Sequence, residues 1–240
     1  MRAAADVRDP RWRFAHTGTL PVIQVALFDF DGTLIDSEAV HLACWNRVLA
    51  TFDARIEADF YGPHCAGHRT EEIAERILRH LPTTAASMPT LAAAKDACYL
   101  AWTEAHDLPL MPGAQIILRD LAAAGLRLGL VTGATDKDVH KTLVAHGILE
   151  CFATRVTRDD VAHGKPAPDS YRLALERLDV PSAAALAFED TSAGVRSAAA
   201  ADVLTIAVPN AYTTTHDFSA AHHIVGNLSE ARALVLPWLR

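Results

Sequence analysis

Asp29 and Asp31 stand two residues apart, directly after the apolar run Gln24-Val25-Ala26-Leu27-Phe28 and directly before Gly32-Thr33. Three other places along the chain carry polar groups at the end of an apolar run or in the loop that follows one. They are Thr132 with Gly133, Lys165 between Gly164 and Pro166, and the pair Glu189-Asp190. Carboxylates gathered this closely repel one another and are driven toward protonation unless a cation joins them. Mg2+ suits a few hard oxygen ligands, and nothing nearby offers the soft ligands of zinc or copper. Asp29 and Asp190 are expected to hold it through their side chains. If the chain turns at Gly32, Asp31 can swing beside a leaving oxygen and act as general acid, then as general base. Lys165 supplies positive charge, Thr132 and the Gly133 amide supply donors for phosphate oxygens, and Pro166 to Pro168 stiffen the lysine loop. Together these are the parts of an in-line phosphoryl transfer. As bare turn acids, Asp29 and Asp31 would be costly beside a buried strand. Thr132, by contrast, reads equally as an ordinary turn or helix cap.

The elements that must position these groups follow from the hydrophobic pattern. Apolar runs at 24–30, 126–132, 153–157, 185–190 and 203–208 read as buried strands, and the gaps after residue 113 carry helical periodicity. Leu118, Leu121 and Ala122 make one helix face, and Tyr171, Ala174, Leu175 and Leu178 make another behind an Asp169 cap. Alternation of this kind predicts an α/β fold, a Rossmann-like parallel sheet covered by helices, with ligands at the carboxyl ends of the strands. Residues 37–108 contain no strand pattern and read as an inserted α-helical cap. Trp45, Val48, Leu49 and Phe52 give one amphipathic face; Ile73, Ile77, Leu78 and Leu81 give a second; 91–105 gives the last helix. The expected division is an N-terminal extension at 1–22, a catalytic core at 23–36 and 109–240, and the cap at 37–108, hinged at its two crossings.

Composition narrows the partners. A formal net charge of -7 over 240 residues leaves no broad basic field for nucleic acid or an anionic membrane. No apolar run has the length of a membrane span, and the opening residues lack the apolar core of a secretory signal. Cys44, Cys65, Cys98 and Cys151 show no paired spacing, which fits a reducing cytoplasm. The partner is expected to be a small phosphorylated metabolite, and the chain a monomer or weak homodimer.

Taken in order, Asp29-Phe30-Asp31-Gly32-Thr33-Leu34, Val131-Thr132-Gly133, Gly164-Lys165-Pro166-Ala167-Pro168-Asp169 and Glu189-Asp190 resemble the four motifs of the haloacid dehalogenase superfamily. The resemblance implies that Asp29 is the nucleophile, that Asp31 is the acid/base and lends its carbonyl to Mg2+, and that Glu189 and Asp190 complete the metal site. Thr132 and Lys165 are then phosphate partners. Asp31 weighs against true dehalogenase chemistry, which lacks the second aspartate.

The helical insertion resembles the small-cap subgroup of phosphoglycolate phosphatases, sugar phosphatases, a phosphonate hydrolase and beta-phosphoglucomutase. His41 matches a cap-side histidine of the mutase, and its spacing admits either packing or contact with substrate. His68 and Arg69, in Gly67-His68-Arg69-Thr70, fall at the cap's substrate loop. Lys95, the cap's one lysine, falls at neither place where the mutase and the phosphonate hydrolase keep theirs, which counts against both. The stretch from Pro209 to Ala221 is similar to sugar-bisphosphate phosphatases that act on xylulose bisphosphate. The expected activity is a phosphatase acting on a sugar phosphate or bisphosphate through a phosphoaspartyl intermediate, with a phosphomutase, a phosphoglycolate phosphatase or a turnover-free binding module as alternatives. Two departures stand out: Gly133 replaces a frequent Asn, and Asp202 stands where a left-handed Gly is usual. Trp45 reads as cap core rather than a stacking platform, and the histidines at 64, 106, 163, 216, 222 and 223 as surface or core.

Overall fold

The computed structural model describes residues 22–82 and 84–239, so nearly all of the N-terminal extension expected at 1–22 lies outside the described residues. Strand β1 (Val25–Phe28) leads through a turn into four cap helices, α1 (Glu38–Leu49), α2 (Ala58–Cys65), α3 (Thr70–His80) and α4 (Met88–Ala105). The chain then alternates through α5 (Ala114–Ala123), β2 (Arg127–Val131), α6 (Asp136–Ala145), β3 (Phe152–Val156), α7 (Asp169–Leu178), β4 (Ala185–Glu189), α8 (Ser192–Ala200) and β5 (Leu204–Ala207). A two-residue strand β6 (His223–Ile224) and helix α9 (Leu228–Val235) complete it. The sheet is parallel throughout, in the order β3-β2-β1-β4-β5-β6. This is the expected α/β fold, with β1 and β4, which end in acids, adjacent at its centre.

Period-two alternation divides the sheet between two cores. Ala26, Phe28, Leu130, Leu186, Phe188 and Ile206 pack with α5, α6 and α9 on one face. Val25, Leu27, Val131, Ala185 and Ala187 pack with α7 and α8 on the other. Phe28 and Phe188, paired in register, stack at 4.6 Å between ring centroids and hold β1 against β4.

The helical faces depart from expectation in places. On α5 the buried row is Ile117, Leu118 and Leu121, and Ala122 is exposed, because the face is set by the larger side chains. Asp169 is the first residue of α7 and not its cap; Pro168 takes the cap position, and the Asp169 carboxylate meets His163 Nδ1 at 2.9 Å. Helix α2 goes unpredicted because Gly62 and Pro63 inside it obscure its pattern. Strand β6 is too short to leave a periodic signal. Asp202 does adopt the left-handed conformation, at φ 57°.

The cap helices enclose a core of their own around Trp45, Leu49, Ile56, Ile73, Ile77 and Leu91. Their two crossings to the sheet run side by side: Asp36 N–H donates to Pro109 O and Met111 N–H to Leu34 O, each at 2.8 Å. The cap also rests on the segment after β5. A Cβ at Gly62 would lie 2.4 Å from Tyr212 O, and the His216 ring lies between the Ser192 amide (3.3 Å) and Gly62 O (3.2 Å). Gly62→Ala is therefore expected to force α2 off Tyr212 and to cost roughly 1–3 kcal/mol in urea unfolding. An unchanged midpoint would mean that this contact does not hold the cap.

Candidate active site

At the carboxyl end of the sheet, β1 places Asp29, β2 places Thr132, and β4 places Glu189 and Asp190. Gly32 closes the turn after β1 at φ 78°, its amide donating to Ile35 O at 2.8 Å. A Cβ at Gly32 would stand 2.1 Å from Asp190 Oδ2, so only glycine permits this approach. Asn210 spans the same gap, with Nδ2 donating to Asp190 Oδ2 at 2.8 Å and to Gly32 O at 3.2 Å.

Carboxylate oxygens of Asp29, Glu189 and Asp190 lie within 4.8 Å of one another, all buried. Lys165 Nζ answers them, donating to Asp29 Oδ1 at 2.6 Å, Glu189 Oε1 at 2.5 Å and Val131 O at 2.9 Å. Burial opposes the lysine's charge, but Asp29 and Glu189 outweigh it and hold the pKa above the ordinary lysine range. One cation does not neutralise three acids. Burial first, then repulsion from Asp29, lifts Glu189 to about 7 even against Lys165 and the Tyr171 hydroxyl. Burial, Asp29 and Glu189 likewise push Asp190 well above the carboxylate range. Among the described residues Glu189 Oε2 has no hydrogen-bond partner, and a Cβ at Gly194 would fall 1.7 Å from it. Hard oxygens alone, with a charge deficit and an unused lone pair, fit a divalent cation such as Mg2+.

Asp31 accepts the Ser37 hydroxyl at 2.6 Å, and burial raises its pKa to about 6. Thr132 Oγ1 accepts from the Ala134 amide at 2.9 Å, a turn role that leaves its hydroxyl proton free. Gly133 borders the cleft with open space where a side chain would stand.

A cleft of about 560 Å³ separates these groups from the cap. His41, His68 and Arg69 all border it. The His41 ring stacks on Tyr99 at 4.2 Å, His68 Nδ1 meets Glu72 at 3.2 Å, and Arg69 Nη2 lies 3.1 Å from where a Gly164 Cβ would be, beside Lys165. Other lining residues carry no motif signal. Lys95, whose spacing counts against a mutase role, is 5% exposed and borders the cleft with Nζ 5.0 Å above the Tyr99 ring. Glu38, the first residue of α1, is buried there and accepts the Tyr61 hydroxyl at 2.7 Å. For Asn210 the sequence does hold a signal, since it lies within the distinctive stretch from Pro209 to Ala221, but Glu38 and Lys95 read as ordinary helix polars.

The match to a family model covers residues 26–208 and is described as haloacid dehalogenase-like hydrolase. Protein CbbY of Rhodobacter capsulatus is 34% identical over 90% of this chain and 99% of its own length. Validoxylamine A 7'-phosphate phosphatase of Streptomyces hygroscopicus subsp. limoneus is 30% identical over 87% of this chain and 96% of its own. Among solved structures, a mutant CbbY of Rhodobacter sphaeroides in complex with xylulose-(1,5)bisphosphate superposes with a TM-score of 0.72, at 30% identity, covering 87% of this chain and 96% of that one. The chain belongs to the haloacid dehalogenase-like hydrolase family. It is a hydrolase with a helical cap over a buried acid cluster.

Burial lifts Glu38 from its ordinary 4.5 to about 7, against the lowering effects of Tyr61 and Lys95. Because the folded state holds this proton more tightly, its stabilisation is complete below pH about 4.5 and is lost as pH rises through about 7. Glu38→Gln is expected to remove up to about 3 kcal/mol of that pH dependence, seen as a flatter plot of thermal midpoint between about pH 5 and 8. A slope identical to the parent chain's would rule the assignment out.

Proposed function

We propose that this chain is a phosphatase hydrolysing phosphorylated sugars, and that a sugar bisphosphate is its preferred class. The observation that carries the reading is the contact of Lys165 with Asp29 inside the Asp29–Glu189–Asp190 cluster, facing a cleft whose cap side adds Lys95 and Arg69. Those two cations offer a grip for a second anionic group. The names of the relatives, two of them tied to phosphorylated carbohydrates, support the same class.

In the proposed mechanism an Asp29 oxygen attacks phosphorus while the bond to the sugar oxygen breaks, and Asp31 gives that oxygen its proton. Water then gives a proton to Asp31 and attacks phosphorus, breaking the bond to Asp29 and freeing phosphate. A pKa of about 6 suits Asp31 to both halves, since it can hold and accept a proton near neutrality. Lys165 keeps Asp29 ionised and fixes its oxygen, and the Thr132 hydroxyl and Gly133 amide are proposed as donors to the phosphoryl oxygens. Asp29, Asp190, Glu189 and the Asp31 carbonyl would hold Mg2+, which when bound neutralises charge on the transferring group.

One observation favours a phosphomutase as the second reading: Lys95, whose position in sequence counts against it, borders the cleft. A requirement for an activating bisphosphate would separate the two. A monomer or weak homodimer acting in the cytoplasm remains part of the proposal, in keeping with four free cysteines.

Phosphate release from ketose bisphosphates, sugar monophosphates and phosphoglycolate tests the reading. Asp29→Asn is expected to lower the rate by at least about 10³-fold with the fold retained, and chelation to abolish it until Mg2+ is restored. Release that survives both treatments refutes the mechanism. Lys95→Ala is expected to raise KM for a bisphosphate by about 10-fold and for a monophosphate far less; equal effects would remove Lys95 from recognition of the second anion.

A further inference from the structure

The stretch from Asn210 to His216, which follows β5, touches an acid of the rim at one end and the cap at the other. The Asn210 amide can take only one orientation there. Its Oδ1 accepts the Tyr212 N–H at 2.9 Å, so Nδ2 is turned toward the acids and donates to Asp190 Oδ2 at 2.8 Å and Gly32 O at 3.2 Å. Asp190 Oδ1 has, among the described residues, only a long contact of 3.5 Å with Thr33 Oγ1. A carboxylate anchored by one oxygen cannot turn about its last bond, so the direction of the other oxygen is set.

Turns make the segment stiff. Asn210 N–H donates to Thr213 Oγ1 at 3.0 Å, Thr213 N–H returns to Asn210 O at 3.1 Å, and His216 N–H reaches Thr213 O at 2.9 Å. Thr213, at their centre, is fully buried. The cap meets the same segment at Gly62 of α2, where a Cβ would stand 2.4 Å from Tyr212 O. His216 completes the joint. A backbone amide only donates and a carbonyl only accepts, so the ring takes the Ser192 N–H at Nδ1 (3.3 Å) and gives its own Nε2 proton to Gly62 O (3.2 Å). A shift of α2 against this segment therefore has a continuous path of packed and hydrogen-bonded groups to Asp190.

We propose that Asn210 is a positioning residue that aims Asp190 at the cation, and that the segment it opens makes the affinity for the cation depend on how α2 of the cap is seated against Tyr212 and His216. The inference rests on the reading of the acid cluster as a Mg2+ site, and it concerns residues outside the ligand set. Groups that orient the ligands of a metal commonly carry about 10- to 100-fold of its affinity.

The test is calorimetric titration of Mg2+ into the full chain with no substrate present, so that turnover does not enter. Asn210→Ala is expected to weaken Mg2+ by about 10-fold or more. Gly62→Ala, which lies in the cap and alters no polar group, is expected to weaken it by about threefold or more. Val235→Ala, which opens a cavity in the core beneath α9, lowers stability and should leave the affinity unchanged, which separates the aim of Asp190 from general loosening. Where Asn210→Ala or Gly62→Ala does not fold, Asn210→Ser or His216→Ala takes its place with the same expectation. An affinity within about threefold of the parent chain in the Asn210 variant, an unchanged affinity in the cap variant, or an equal loss in Val235→Ala overturns the proposal. A parent chain that binds no Mg2+ overturns the metal reading and this inference with it, whereas Mg2+ held equally by parent and variants overturns the inference alone.

Discussion

Three carboxylates share one buried rim with a single lysine, and much of the surrounding structure serves that juxtaposition. Asp29 and the Glu189-Asp190 pair come from adjacent central strands, so parallel pairing of β1 with β4 places them side by side. Close packing of like charges in a medium of low dielectric is expensive, and Lys165 offsets part of the cost by touching two of the three acids. Burial first, and then repulsion from the neighbouring acids, still holds Glu189 and Asp190 above the ordinary carboxylate range. Glycine at 32 and 194 gives the acids room that any side chain would deny them. Asn210, from beyond β5, ties Asp190 to the turn that carries Asp31.

The same turn joins the acid cluster to the cap. Ser37 donates to Asp31, and the next residue, Glu38, opens α1. Any rotation of α1 therefore acts close to the Asp31 carboxylate, through one short hydrogen bond. Beside this crossing the chain returns at Pro109 and Leu110, so two adjacent strands of backbone join the cap to the sheet, and Val40, Tyr99 and Trp102 of the cap pack on the sheet's core. Further contacts, at Gly62 with Tyr212 and His216 and at Gly67 with Thr191, lie away from the crossings and set how far the cap sits over the cleft. A cap held in this way can present recognition groups without taking part in bond breaking, while the rigid sheet keeps the reacting groups in register.

Much of the polar rim is legible in the sequence because its signals are local. An apolar run followed at once by an acid marks a strand end, and in a parallel sheet all such ends fall on one rim. Asp29, Asp31, Thr132, Lys165, Glu189 and Asp190 therefore group together on sequence pattern alone. The cap is legible only as helices. The periodicity of α1 shows that Trp45 and Leu49 are buried, but not that Trp45 also borders a cleft. Glu38 and Lys95 look like the solvated polars of any helix until α1 and α4 are packed together above the sheet.

What the sequence determined by itself is the α/β alternation, the helical insertion and the residues at the strand ends, because each depends on the periodicity of a short segment. What only the tertiary structure decided is which polar groups of the cap meet the cleft and which distant residue, Asn210, supports the acids. Those depend on how two separately packed cores are set against each other. That setting is fixed by contacts between residues far apart in the chain, such as Gly62 with Tyr212 and Arg69 with Gly164, which no local pattern encodes.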